Sequence, residues 1–136
     1  MKVMLSIILI LVSMRAYSPA YPQLYIAQSE GIDPFQPLRF AIGMVECSLD
    51  TLAYNPVEKA AGYFQIRPIR LNDYYARTGI RYSTRDMFDY EKAEEVFMYY
   101  ATKIGPYDFC RIAREWNGSG PKTWEYWKKV RIYLII

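Results

Sequence analysis

The sequence predicts a mainly α domain of the α+β kind, with several short helices around one core and a small loop or β element after the first strong helix. Three observations predict it. Apolar residues recur at helical spacing as Leu38, Ala41, Ile42 and Val45, as Ala93, Val96, Phe97, Tyr100 and Ile104, and as Phe109, Ile112, Ala113 and Trp116. Proline and glycine punctuate these stretches where helices start and stop. The period is lost between Ser48 and Arg67. At 136 residues, 52% hydrophobic and 17% aromatic, the chain is long enough for one core and too short for a second folded unit of ordinary size.

The first twenty residues stand apart. Lys2, an apolar run from Val3 to Val12 and small residues at Ser18 and Ala20 have the layout of a signal peptide over residues 1–20, although Arg15 sits late in it. The run falls short of the roughly 20 residues that span a bilayer, so a permanent anchor is the weaker reading and no stable membrane span is expected. Residues 21–136 are then the domain of an exported protein, periplasmic or extracellular. A cut after Ala20 removes Lys2 and Arg15 from 17 basic side chains and none of the 14 acidic ones, leaving the domain near neutrality.

Tyr21 to Gln36 reads as a mostly irregular approach, with room for one short helix. Pro37 suits the first turn of a helix that ends near Cys47 and Ser48, with Glu46 on its last turn. Asn55-Pro56 signals a turn and Gly62 precedes the run Tyr63, Phe64, Gln65, Ile66, which reads as a loop with a tiny hairpin. Pro68 opens another helix through about Arg77, closed by Gly79, with Ile69 and Leu71 expected on its buried side. Asp89 is the expected N-cap of the clearest helix, which Gly105 stops. Pro106 is expected to begin the next, and Asn117-Gly118-Ser119-Gly120-Pro121 to end it. A last helix runs from Thr123 or Trp124 into the apolar C-terminus, with Lys128, Lys129 and Arg131 as its solvated face.

Composition excludes whole classes of chemistry. There is no histidine, so Ser-His-Asp and Cys-His catalysis and the usual His-containing zinc sites are ruled out. Mechanisms run by carboxylic acids survive, and glycosidic cleavage is the commonest of them. No run of lysine or arginine supplies a basic stripe for nucleic acid, and none is expected as a partner. Cys47 and Cys110 are the only cysteines, and export permits either a disulfide or two isolated buried thiols.

Glu46, flanked by Val45 and Cys47, is the leading candidate acid. A carboxyl facing a partly apolar cleft resists ionisation and can donate a proton to a glycosidic oxygen near neutral pH. Taken alone, a glutamate at a helix end is more often ordinary surface. Its company changes that: Met44-Val45-Glu46-Cys47, then Gly62-Tyr63-Phe64-Gln65-Ile66, then Arg114-Glu115-Trp116-Asn117-Gly118.

In order and spacing this set resembles the signature of lytic transglycosylases and goose-type lysozymes, within the lysozyme-like superfamily, over Leu38 to the C-terminus. In that family a helix-ending glutamate, usually followed by serine, precedes a glycine-aromatic/aliphatic-glutamine segment and a later aromatic-asparagine pair. The resemblance implies that Glu46 protonates the leaving oxygen between N-acetylmuramic acid and N-acetylglucosamine in peptidoglycan glycan strands and then acts as base. It implies that Gln65 lines the cleft and binds sugar through an amide that donates and accepts, and that Asn117 holds the glycan or its acetamido group. Tyr63 and Trp116 are candidates to offer flat surface to sugar rings, against the alternative that both pack in the core. Cys47 and Trp116 depart from the usual serine and tyrosine.

Asp50 and Glu58 are candidate second carboxylates, and neither occupies a position that ties it to a catalytic partner. A single-glutamate transglycosylase mechanism yielding anhydro-muropeptides is therefore favoured. The alternatives are a hydrolytic muramidase and a non-catalytic lysozyme-like glycan-binding or structural protein. No metal or other cofactor is called for, a monomer is expected, and bacterial and phage origins both fit.

Overall fold

A computed structural model describes residues 31–134. The expected signal peptide, most of the irregular stretch 21–36 and the last two residues lie outside the described part. Within it the chain forms five α-helices and one two-stranded sheet, as the mainly α expectation requires: α1 Gln36–Cys47, β1 Tyr54–Asn55, β2 Ala60–Ala61, α2 Pro68–Thr78, α3 Tyr90–Ile104, α4 Phe109–Asn117 and α5 Lys122–Ile132. Among the described residues no helix is long and apolar enough to cross a membrane.

Helix α1 carries Pro37 in its first turn and buries Leu38, Ala41, Ile42 and Gly43. Gly43 is small for a reason. A Cβ there would lie 2.2 Å from the Tyr63 ring, so the glycine is what lets that tyrosine lie against the helix. The helix ends in two left-handed residues, Ser48 and Leu49, whose N–H groups bond back to the carbonyls of Met44 (3.3 Å) and Gly43 (3.1 Å).

The expected hairpin is present. Tyr54 pairs with Ala61 and Asn55 with Ala60, and the Asn55 side chain accepts from the N–H of Val57 at 3.0 Å to hold the turn after it. Ala61 and Ile66 then exchange both backbone hydrogen bonds, at 3.1 and 3.0 Å, closing a loop over residues 62–65. Gly62 begins it at φ 76°, and a Cβ there would lie 1.8 Å from the Met87 carbonyl oxygen.

Helix α2 starts at Pro68 and is capped by left-handed Gly79 as expected, but it buries Leu71 and Tyr74. Ile69 is 73% exposed, contrary to expectation, because it stands two positions from Leu71 and so turns to another side of the helix. Among the described residues there is also one 3₁₀ segment, Thr84–Phe88, which the sequence pattern does not predict. The Asp86 carboxylate accepts from the Ser83 N–H (2.9 Å) and hydroxyl (2.6 Å) to start it, and it delivers the fully buried Met87 to the core.

Asp89 caps α3 through the N–H groups of Glu91 (3.0 Å) and Lys92 (3.4 Å), and Gly105 ends it. Helix α4 begins at Phe109 rather than Pro106, because the Asp108 carboxylate accepts the Arg111 N–H at 2.9 Å and sets the start. It packs beside α5, whose inner face is Thr123, Tyr126 and Val130 and whose Lys128, Lys129 and Arg131 are exposed. The core is aromatic at its centre. Phe64 stacks on Phe97 at 4.6 Å, and the Trp116 ring meets Phe97 edge-on at 5.0 Å.

Candidate active site

The last turn of α1, the loop over residues 62–67, the first turn of α2, the end of α4 and the start of α5 surround a cleft of about 360 Å³. Glu46, Gln65, Trp116 and Asn117 line it, so four of the five residues singled out from the sequence meet in one place. Arg67, Arg70 and Lys122 bring positive charge, and Glu58 brings a second carboxylate.

Glu46 is half-buried, and its Oε1 accepts a 2.6 Å hydrogen bond from the Tyr126 hydroxyl. Burial pushes its carboxyl up to about 7 from an ordinary 4.5. The Tyr126 hydrogen bond works against that rise, the charge of Glu58 adds to it, and Arg67 opposes it. Tyr126 is itself buried, which together with the neighbouring carboxylate holds its phenol well above its usual value and keeps it a donor. Oε1 is thus committed to Tyr126. Oε2 makes no hydrogen bond to the described residues and is the oxygen on which a proton can be carried and delivered.

Gln65 sits in a left-handed backbone conformation, φ 47°, unusual for a residue with a side chain. Its amide nitrogen donates to the carbonyls of Gly62 at 3.0 Å and Ala53 at 3.1 Å, tying the loop to the hairpin. Both amide hydrogens have protein acceptors, so what Gln65 presents to the cleft is its carbonyl oxygen alone, and the expected donor-and-acceptor role is halved. Asn117 lies at the C-terminal end of α4, its backbone carbonyl accepting from Arg67 at 3.4 Å.

Tyr63 does not line the cleft. It is 9% exposed, with its ring on Gly43 and edge-on to Phe64 and Tyr90, because the turn after Gly62 points it back at α1. The core alternative holds for it. Trp116 does both jobs: it is 7% exposed, its indole N–H donates to the Phe64 carbonyl at 3.2 Å, and one edge borders the cleft.

Cys47 and Cys110 are free thiols. The Cys47 Sγ lies 3.2 Å from the Tyr63 carbonyl oxygen and 3.4 Å from that of Gly43, so its proton links the end of α1 to the segment that carries Gln65. Asp50 is spent on its own turn, accepting from the Leu52 N–H at 2.9 Å. Glu58, by contrast, faces the cleft.

Sequence reasoning missed Tyr126 and the arginines. Thr123, Tyr126 and Val130 share one face of α5, and a tyrosine on an inward face needs a partner for its hydroxyl, which was a usable signal. Arg70 gives no such sign. Its terminal nitrogen donates to the carbonyls of Glu115 (3.2 Å) and Trp116 (3.0 Å), with the guanidinium 4.7 Å from the Tyr100 ring centre and 4.9 Å from that of Trp116. Among the described residues no group of three or more histidine, cysteine or acidic side chains is gathered as a metal site. No family model matches the chain, and comparisons with curated proteins and with solved structures find no match.

Proposed function

We propose that this chain cleaves peptidoglycan glycan strands between N-acetylmuramic acid and N-acetylglucosamine as a lytic transglycosylase of lysozyme-like type, outside the cytoplasm. The observation that carries it is Glu46: a carboxyl held protonated to about pH 7, in a cleft it shares with Gln65 and Asn117. A surface glutamate would be ionised at that pH and unable to serve as an acid.

Protonated Oε2 gives its proton to the glycosidic oxygen as the bond from that oxygen to the anomeric carbon breaks. Positive charge develops on the sugar while Glu46 becomes an anion, steadied by the Tyr126 hydroxyl on Oε1. The carboxylate then takes the proton of a hydroxyl on the same muramic acid, whose oxygen bonds to the anomeric carbon. The result is an anhydro sugar, no water is consumed, and Glu46 is protonated again. The Gln65 carbonyl oxygen and the Asn117 amide are suited to the N–H and C=O of an acetamido group.

One observation favours the hydrolytic alternative. Glu58 lines the same cleft and its charge is felt by Glu46, as a base that activates water would be. Mass spectrometry of purified sacculi digested by the wild type, Glu46→Gln and Glu58→Gln separates the two. Anhydro-muropeptides lost only in Glu46→Gln are the expected result. Reducing-end muropeptides lost in both variants would replace transglycosylation by hydrolysis. Full activity of Glu46→Gln would sink both.

A further inference from the structure

Asn117 is the last residue of α4, and the chain leaves it through Gly118 and Gly120, which have no side chains to cap the helix and take positive φ, 144° and 87°. A helix leaves its last four carbonyls without partners of their own. The Gly118 N–H serves the Arg114 carbonyl at 3.1 Å, and the other three are served from the start of α2. Arg70 donates from one terminal nitrogen to the carbonyls of Glu115 at 3.2 Å and Trp116 at 3.0 Å, and Arg67 reaches that of Asn117 at 3.4 Å. Their positive charge also suits the negative end of the helix dipole.

Arg70 is itself held in place. Its guanidinium lies 4.7 Å from the Tyr100 ring centre and 4.9 Å from that of Trp116, and the Tyr100 hydroxyl is anchored on Asp73 at 2.8 Å. Among the described residues neither Arg67 nor Arg70 is ion-paired with a carboxylate. Arg67 follows Gln65 by two residues and Arg70 comes three further on, so these contacts tie the segment that carries Gln65 to the helix end that carries Asn117. Both arginines line the cleft that the two amides share.

We propose that Arg70, assisted by Arg67, is a positioning residue of the cleft: by holding the last carbonyls of α4 it fixes Asn117 relative to Gln65, so that the Asn117 amide meets the acetamido group in one orientation. The proposal rests on the glycan reading above, since that reading gives Asn117 a sugar to hold. Arg67 also bears on the charge of Glu46, so Arg70 is the residue whose replacement isolates the effect.

Arg70→Met keeps an unbranched stem between the two rings and removes the donors. Nuclear magnetic resonance of the full protein without substrate reads the helix end through the nitrogen–proton Overhauser effect. In the wild type the amides of residues 115–118 should be as ordered as the middle of α4. In Arg70→Met they should lose order while residues 122–130 keep theirs.

A second arm measures cleavage of soluble glycan strands by the wild type, Arg70→Met, Asn117→Ala and the double variant. Arg70→Met should raise KM about tenfold, the weight of one hydrogen bond to the sugar, with kcat nearly kept. In the Asn117→Ala background it should change nothing further, because the residue it acts through is gone. A mere loss of folded protein would instead lower the apparent kcat, leave KM alone and add to Asn117→Ala. Arg70→Lys keeps the charge but not the planar fork, so it should fall between wild type and Arg70→Met in both arms. It replaces Arg70→Met if that variant does not fold, and wild-type values in it would then overturn the proposal. Ordered amides in Arg70→Met, an unchanged KM, or additive effects in the double variant overturn it as well. A wild type that cleaves no glycan tells against the glycan reading alone, because the amide measurement is made without substrate and still decides whether Arg70 holds Asn117.

Discussion

Replacing Glu46 by glutamine should make the protein more stable at alkaline pH, and the size of the gain follows from the burial of the carboxyl. The group titrates at about 7 in the folded chain against an ordinary 4.5. Between those values the folded state holds a proton that the unfolded chain has released, so stability falls as pH rises through the window and the loss is complete above it. Each pH unit of displacement is worth 1.36 kcal/mol, which gives an upper figure of about 3 kcal/mol. Water reaches Glu46 from the cleft, so about 1–2 kcal/mol is the realistic share. Glutamine has the same shape, accepts from Tyr126 as the carboxylate does, and never ionises.

For a domain of this size 1 kcal/mol moves Tm by about 4 °C, so Glu46→Gln should melt about 4–8 °C above the wild type at pH 8.5. Near pH 4, where both side chains are uncharged in the fold, the two curves should nearly coincide. Thermal unfolding followed by circular dichroism at the two pH values is sufficient. A difference that does not change with pH, or a variant less stable at pH 8.5, would refute the burial argument whatever the protein acts on. The gain in stability should accompany loss of cleavage, as expected where a site keeps a charge in an unfavourable place in order to use it.

Two further perturbations address the supports of that carboxyl. Tyr126→Phe removes the donor on Oε1 that holds the Glu46 titration down, so the alkaline limb of the activity profile should move up by about one pH unit; a limb that stays put or moves down would show that the hydroxyl does not stabilise the anion. Gly62→Ala would place a Cβ 1.8 Å from the Met87 carbonyl at φ 76°, and should cost about 3 kcal/mol or more, read as a lower urea midpoint; an unchanged midpoint would mean that the loop does not approach Met87 so closely.

What the sequence makes legible is what neighbours along the chain decide. Helices α1 and α3 are readable because their apolar period and their Pro37, Asp89 and Gly105 boundaries are local signals. The start of α4 is less so, since Pro106 is a plausible first residue until Asp108 is seen accepting the Arg111 N–H. Glu46 shows the same divide. Its place at the end of a helix is local, but the hydroxyl that binds it arrives from 80 residues further along, on α5. Gln65 is legible as a cleft residue, whereas the use of its amide hydrogens depends on the hairpin coming back to present the Ala53 carbonyl. The pattern of residue types reports which groups share a cleft better than it reports which of their hydrogen bonds are already taken.

Cys47 sharpens the point, because it is one of the two positions, with Trp116, where the sequence departs from the pattern it resembles. A serine in its place would send a hydroxyl proton to the carbonyls that the thiol now faces, those of Tyr63 and Gly43. The requirement at this position is a short side chain with one proton to give, set one residue after the acid so that it points away from the cleft and toward the loop. Sulfur meets that requirement with a longer, weaker bond, and burial pushes the thiol's pKa up so that it keeps the proton it donates. The substitution therefore changes the strength of the link between α1 and the Gln65 segment without altering what is linked, and leaves Glu46 facing the cleft.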